Sequence, residues 1–317
     1  MAALQRSWID NKILNLDKER GVTSYGTVDR VKKLAGMRKV GHAGSLDPFA
    51  TGVLLVCTGR ATKVTRFLME LEKEYSGTIR LGEETETDDL NGKVLSSSRD
   101  FVVSRGEVER VALTLVGTIS QRPPRVSALK RRGRRLYEMA RRGEEFETEP
   151  REVTIHEFRL NAFRLPELDF YVRCSKGTYV RALARDLGRK LGCGAHLTAL
   201  RRTRVGPFSA EDSFRLDQLK KMVEGEEKPV AAPSVSSLEE ALAFLPACTL
   251  LAGEEQGVLY GQSPSLDQLE TLAPDVGEGQ NVRILSSTGA LLAIGKTPLA
   301  GSEPVVRLEK VLVETHG

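Results

Sequence analysis

The stretch GHAGSLDPFATGVL, residues 41–54, decides how this chain is read. Asp47 stands immediately before Pro48, and a residue before proline is pushed out of the helical region, so its carboxylate is expected on an extended, displayed segment. Gly41, Gly44 and Gly52 surround it and are expected to let a ligand approach the backbone closely. An isolated Asp-Pro is ordinary turn chemistry. Ringed by glycines and followed by the apolar run VLLVC (53–57), it becomes a candidate catalytic carboxylate.

Upstream of the loop, Thr23 or Ser24 can cap a helix whose apolar stripe runs through Val28, Val31, Leu34 and Ala35 before Gly36 stops it. Downstream, VLLVC suits a buried strand, and Val64, Phe67, Leu68 and Leu71 mark one face of a second helix. Tyr75, Gly77, Ile79 and Leu81 then alternate with Glu74, Ser76, Thr78 and Arg80, as a half-buried strand would. A further strand is expected at 168–174, leading through Gly177 into a helix that buries Val180, Leu183, Ala184, Leu187 and Leu191. Arg181, Arg185 and Arg189 fall on the opposite face of that helix, where solvent is expected.

Two nucleotide or metal readings fail on spacing. Gly52 and Gly59 lack the Gly-Lys-Ser/Thr ending of a P-loop. The acidic stretch EETETDDLNG (83–92) would put Thr87 and Ser98 where a calcium loop needs acids, which leaves a solvated loop with an Asn-Gly turn.

The 317 residues, 40% hydrophobic and 28% charged, suffice for two domains or for one with an appendage. The longest apolar runs are far too short to span a bilayer and the N-terminus lacks signal-peptide regions, so no membrane association and a cytoplasmic location are expected. Cys57, Cys174, Cys193 and Cys248 are widely spaced and read as buried thiols, and the four scattered histidines suggest no metal site. The net charge of +4 is modest, but seven of the residues from Lys130 to Arg142 are basic against the single acid Glu138. Glu144, Glu145, Glu147 and Glu149 follow as a compensating negative run. From Met222 to Ser237 the composition turns to Glu, Lys, Pro, Ala and Ser, as in a linker. Beyond it VRIL, a Ser-Thr-Gly turn at 287–289 and ALLAIG give a hairpin signal in a small β module.

Residues 41–52 fit the pattern Gly-His-x-Gly-x-Leu-Asp-Pro-x-Ala-x-Gly at every fixed position, and the chain thereby resembles the TruB family of RNA pseudouridine synthases. The resemblance extends in order through KEYSGTIRLG (73–82), PPRVSALK (123–130), LYEMARRG (136–143), CSKGTYVRALARDLG (174–188) and LGCGAHLTALRR (191–202). It implies an α+β pseudouridine synthase fold over residues 1–236, a central mixed β-sheet flanked by helices and loops. It further implies a basic RNA-gripping insertion at about 122–150, a linker at about 222–236, and a small C-terminal β-rich PUA-like RNA-binding domain over 237–317.

The implied activity is isomerisation of uridine 55 in the T-loop of tRNA, by a monomer needing neither cofactor, metal nor obligate protein partner. In that reading Asp47 is the nucleophile, paired with Arg181, and Tyr75 and Tyr179 are the active-site tyrosines, one stacked on the extruded base and one lining the pocket. Leu200 corresponds to an apolar contact beneath the base, and His42 to a ring inserted into the RNA loop in place of the flipped nucleotide. Lys18, Lys130, Arg131 and Arg135 would contact phosphate. The chain departs from the family pattern at Glu19, where Lys-Pro-x-Gly is usual, and at Val126, where a tyrosine is common. A guide-dependent, dyskerin-like synthase and a tRNA-folding chaperone with secondary catalysis are the competing functions.

Overall fold

The computed structural model describes residues 8–98, 100–127, 130–131, 134–142, 144, 146 and 148–313. The first part of the chain forms β1 (Ile13–Lys18), α1 (Ser24–Ala35), β2 (Val40–His42), β3 (Thr51–Thr58), α2 (Thr65–Glu70) and β4 (Lys73–Leu81). Thr23 caps α1, its hydroxyl accepting from the Gly26 amide at 2.9 Å, and Gly36 ends that helix with a left-handed φ of 65°. Next come β5 (Glu83–Thr85), β6 (Val94–Ser97), α3 (Arg105–Leu113), β7 (Gly117–Gln121), β8 (Lys130–Arg131), β9 (Arg134–Arg135) and α4 (Leu136–Arg141). The long hairpin β10 (Arg151–Arg164) and β11 (Glu167–Cys174) leads into α5 (Val180–Lys190), β12 (Ala195–Val205), β13 (Phe208–Ser209), α6 (Leu216–Glu224) and β14 (Val235–Ser236).

β5 pairs with β6 and β8 with β9, and the other strands build one large mixed sheet in the order β14-β1-β3-β12-β4-β11-β10-β7, with β2 added to β3 and β13 to β12. Its middle explains the unbroken apolar run in β3. Val53, Leu55 and Cys57 face one cluster with Phe67 and Leu68, while Leu54 and Val56 face another with Val28 and Val31 of α1. A strand covered on both faces has no reason to alternate. On the other half of the sheet, α5 lays Val180, Leu183, Ala184 and Leu187 against Leu168, Phe170 and Val172 of β11.

The remainder folds as α7 (Leu238–Ala241), β15 (Ala247–Leu250), α8 (Glu255–Leu259), β16 (Leu269–Leu272), β17 (Asn281–Leu285), β18 (Leu291–Lys296) and β19 (Arg307–Val311). Its separate five-stranded sheet runs β16-β15-β17-β18-β19, and the expected hairpin is β17 and β18. Leu291, Ile294 and Leu312 join the cluster on one face of β3, so the second sheet packs on the first through apolar side chains. The stretch expected to be a linker is partly structured, since α6 reaches Glu224 and β14 pairs Val235 and Ser236 with Leu14 and Ile13. No helix among the described residues is long and apolar enough to cross a membrane.

Gly52 lies where β3 and β12 run parallel, opposite Arg202. A Cβ there would stand 2.2 Å from the Arg202 carbonyl oxygen, on a backbone with φ of 98°. The glycine therefore serves strand-to-strand approach, and not the ligand approach expected of it. Gly52→Ala is expected to lower unfolding stability by roughly 3 kcal/mol or to prevent folding. A denaturation midpoint near the wild-type value would contradict this packing.

Candidate active site

The loop carrying Asp47 leaves β2 and enters β3, and buried groups hold it from three sides. The Ser24 hydroxyl accepts from the Leu46 amide at 2.8 Å and donates to the Leu46 carbonyl at 3.2 Å. Arg202, 1% exposed, donates from Nε to the Val53 carbonyl at 2.7 Å and from its two terminal nitrogens to the carbonyls of Gly44 and Ser45. Gly44 itself has φ of 97°, which accounts for glycine at that turn.

Lys18 departs from expectation. Its ammonium is buried and donates to the carbonyls of Glu19 at 2.9 Å, Val22 at 2.7 Å and Pro48 at 3.4 Å. Burial lowers its pKa to about 8, opposed by the Asp47 charge. It therefore braces the turn that precedes α1 and presents no charge to a phosphate. The same bonds tie down the backbone at Glu19, where the family's proline is missing.

Arg181, near the start of α5, reaches 134 positions back to Asp47. Nε meets Oδ2 at 2.8 Å and Nη2 meets Oδ1 at 2.9 Å, a two-point contact that fixes the carboxylate's direction. The remaining donors go to the carbonyls of Thr87 at 2.7 Å and Val126 at 3.1 Å, and Asp89 Oδ2 lies 3.5 Å from Nη1. The guanidinium is 4% exposed while the Asp47 side chain remains 33% exposed. The acid is thus presented and its partner hidden.

This arrangement corrects two expectations. Arg181 and Arg185 are buried, and the acidic stretch read as a solvated loop is what buries them. Arg185 pairs with Asp88 at 2.9 Å and Arg189 with Glu84 at 2.9 Å, so one face of α5 is matched turn by turn by the segment from Glu84 to Asp89. A guanidinium enters a protein interior only with acceptors of this kind. Asp88, in a left-handed conformation with φ of 57°, donates its amide to Thr85 and its carbonyl accepts from Leu197 of β12, which seats the segment on the sheet.

Burial pushes the Asp88 carboxyl up to about 6, with the Arg185 guanidinium pulling the other way. Between pH 6 and the ordinary carboxyl value of 3.8, the folded chain binds this proton more readily than the unfolded one. Acidification from pH 7 to 5 therefore adds a stabilising contribution from this group. Asp88→Asn is expected to lack it. Urea midpoints of both proteins at the two pH values measure the difference, and parallel shifts would refute it.

Beside Asp47 opens a cavity of about 580 Å³ lined by Tyr75, Tyr179, Arg181, Leu200, Arg202 and Lys73 among others. Tyr75 and Leu200 project from the adjacent strands β4 and β12, where Arg202 and Tyr75 are direct cross-strand partners. Desolvation raises the pKa of both tyrosines, opposed at Tyr75 by the Arg202 charge and at Tyr179 by the Arg181 charge. Buried Gln121 clamps the Tyr179 backbone, accepting from its amide at 2.8 Å and donating to its carbonyl at 3.1 Å. His42 stands at the end of β2 opposite Val56, outside the cavity lining.

The backbones of Lys130, Arg131 and Arg135 form the β8–β9 hairpin of the insertion, while their side chains lie outside the described residues. Arg134 and Glu144 form an ion pair at 2.6 Å, which joins the insertion's basic residues to Glu144. The sequence reading missed Asp89, Arg202 and Gln121. The Asp88-Asp89 doublet and the Arg201-Arg202 doublet beside Leu200 were visible, but nothing local distinguishes a buried charge from a solvated one.

Known proteins give the arrangement a context. Residues 32–180 match the model of the TruB family pseudouridylate synthase N-terminal domain, and residues 181–243 match that of the tRNA pseudouridylate synthase B C-terminal domain. A relative named tRNA pseudouridine synthase B from Thermobifida fusca is 43% identical over 93% of this chain and 97% of its own length. The chain belongs to the TruB family. Another TruB relative of that name, from Syntrophotalea carbinolica, is 40% identical over 92% of this chain and 94% of its own length. Among solved structures, a Cbf5-Nop10-Gar1 complex aligns with a TM-score of 0.77 at 26% identity, over 99% of this chain and 88% of that one. An H/ACA RNP bound to a substrate RNA containing 2′-deoxyuridine aligns at 0.74 and 25%, over 96% and 86%. The α+β fold with its large mixed sheet is that of the pseudouridine synthases.

Proposed function

We propose that this chain isomerises uridine to pseudouridine at position 55 in the T-loop of tRNA, with Asp47 as the nucleophile acting on a flipped-out base. The observation that carries the reading is the two-point Arg181–Asp47 contact at the mouth of a cavity walled by Tyr75, Tyr179 and Leu200. A carboxylate aimed by a buried guanidinium needs orientation more than activation. An aromatic wall supplies a stacking surface worth roughly 1–3 kcal/mol, comparable with the cost of unstacking the target.

The reaction breaks the N1–C1′ bond, turns the freed uracil and joins C5 to C1′. If Asp47 attacks C1′, its oxygen bonds there as the uracil leaves with the electron pair; C5 then displaces the carboxylate and loses its proton. If it adds to C6, the C5–C6 π pair moves onto the ring and the N1–C1′ pair stays there on cleavage. C5 then bonds to C1′, and loss of the C5 proton re-forms the double bond and expels the carboxylate, while N1 takes up a proton. Neither route consumes a redox equivalent or a cosubstrate. RNA binding by the basic hairpin and by a PUA-like unit over 237–317 belongs to the same proposal, as does the division of the chain at 236 and 237.

Identity of 40–43% to proteins named tRNA pseudouridine synthase B favours stand-alone action over the guide-dependent reading, whose structural counterparts share 25–26%. Incubating the purified chain with unmodified tRNA tritiated at C5 of uridine tests this. Tritium release by the chain alone is expected. Release only in the presence of a guide RNP would select the dyskerin-like alternative, and tight binding without release would leave a chaperone.

A further inference from the structure

Arg202 has no ion-pair partner among the described residues, although it is one of the largest side chains fully enclosed by the fold. Three of its five N–H groups are spent on the carbonyls of Val53, Ser45 and Gly44. Carbonyl oxygens satisfy those donors without neutralising the charge. The nearby carboxylate of Asp47 is already engaged by Arg181.

Arg202 also borders the cavity. It lines it beside Tyr75, Lys73 and Leu200 and stands opposite Tyr75 across the β12–β4 ladder. Its charge opposes the protonated forms of Lys73 and Tyr75, which border the cavity with it. Lys73 adds a second enclosed cation there, its ammonium donating to the carbonyls of Met69 and Leu71. A buried charge of this kind is costly unless something in the working cycle is complementary to it.

The complementary species arises in the reaction itself. When the N1–C1′ bond breaks, its electron pair stays on the uracil ring and spreads over N1, O2 and O4, leaving an anion in the cavity. We propose that Arg202 is a positioning residue for the isomerisation, holding Tyr75 and the Asp47 loop in register, and that its unneutralised charge stabilises the uracil anion released by glycosidic cleavage. The inference rests on the reading given under Proposed function. A preorganised cation that is complementary to charge developing in the transition state contributes to kcat and not to RNA affinity.

Single-turnover conversion of tRNA by wild type, Arg202→Gln and Arg202→Lys tests the inference, with each protein's folded fraction determined beforehand. Loss of one preorganised electrostatic partner is expected to lower the rate at saturating RNA about 100-fold for Arg202→Gln, with KM changed by less than about threefold. Arg202→Lys keeps a charge without the fork and is expected to lose about tenfold. Repeating the series on RNA carrying 5-fluorouridine at the target, with N1–C1′ cleavage as the readout for both substrates because a fluorinated C5 has no proton to lose, separates charge from scaffolding, since fluorine stabilises the uracil anion. The Arg202→Gln defect is then expected to shrink by about tenfold. Equal defects for uridine and 5-fluorouridine, with lysine no better than glutamine, would reduce Arg202 to a structural strut. Should Arg202→Gln not fold, Arg202→Lys on the two substrates makes the same comparison: a defect unchanged by fluorine overturns the inference. Absence of conversion by wild type would instead sink the functional reading itself.

Discussion

Asp47→Asn is expected to reduce pseudouridine formation by about 10⁴-fold or more while leaving tRNA affinity within about threefold of wild type. The amide keeps the size of the side chain and can still accept from Arg181 through its one oxygen, so the loop, pinned independently by Ser24, Lys18 and Arg202, has no reason to move. What disappears is the anionic nucleophile. Tritium release from C5 measures the loss and filter binding measures the retained affinity. Substantial turnover by the variant would move the chemistry to another group, whereas a parallel loss of binding would mean that Asp47 serves RNA recognition.

Arg181→Met is expected to have the second largest effect, lowering kcat by about 10³-fold and stability by roughly 3 kcal/mol. Methionine fills part of the space but removes every donor that Asp47, Thr87 and Val126 now share. Asp89, which is buried, would lose its guanidinium partner as well. Arg181→Lys restores one charge but cannot make the two-point contact, so partial recovery of stability with little recovery of rate is expected. Thermal denaturation and single-turnover rates on the same preparations separate the two effects. A fully active lysine variant would show that charge, and not direction, is what Asp47 requires.

Much of this was legible in the chain itself. The pre-proline aspartate, the capped helix before it and the apolar run after it are local features, and local sterics and periodicity report on them directly. The strand at 73–81 and the helix after Gly177 were equally plain, because each alternates or repeats with one buried face. Lys18 was misread for a physical reason. A lysine in a turn usually reaches water, and only the return of the Pro48 carbonyl over it makes an interior site with enough acceptors. The acidic run was misread likewise, since Asp88 and Asp89 look solvated until α5 brings Arg185 and Arg181 against them.

Local sterics and periodicity were enough to place the displayed carboxylate and the helices and strands around it, and the ordered run of motifs was enough for the family. Tertiary structure alone decided which charges are buried and whom they meet. Asp47 and Arg181 are 134 positions apart, and Arg202 reaches its loop carbonyls across 157 and 158. Such contacts depend on β3, β12 and β4 lying side by side in the sheet. Periodicity reports which face of an element is covered. It carries no information on which distant element does the covering, and for a buried charge that identity sets its energy.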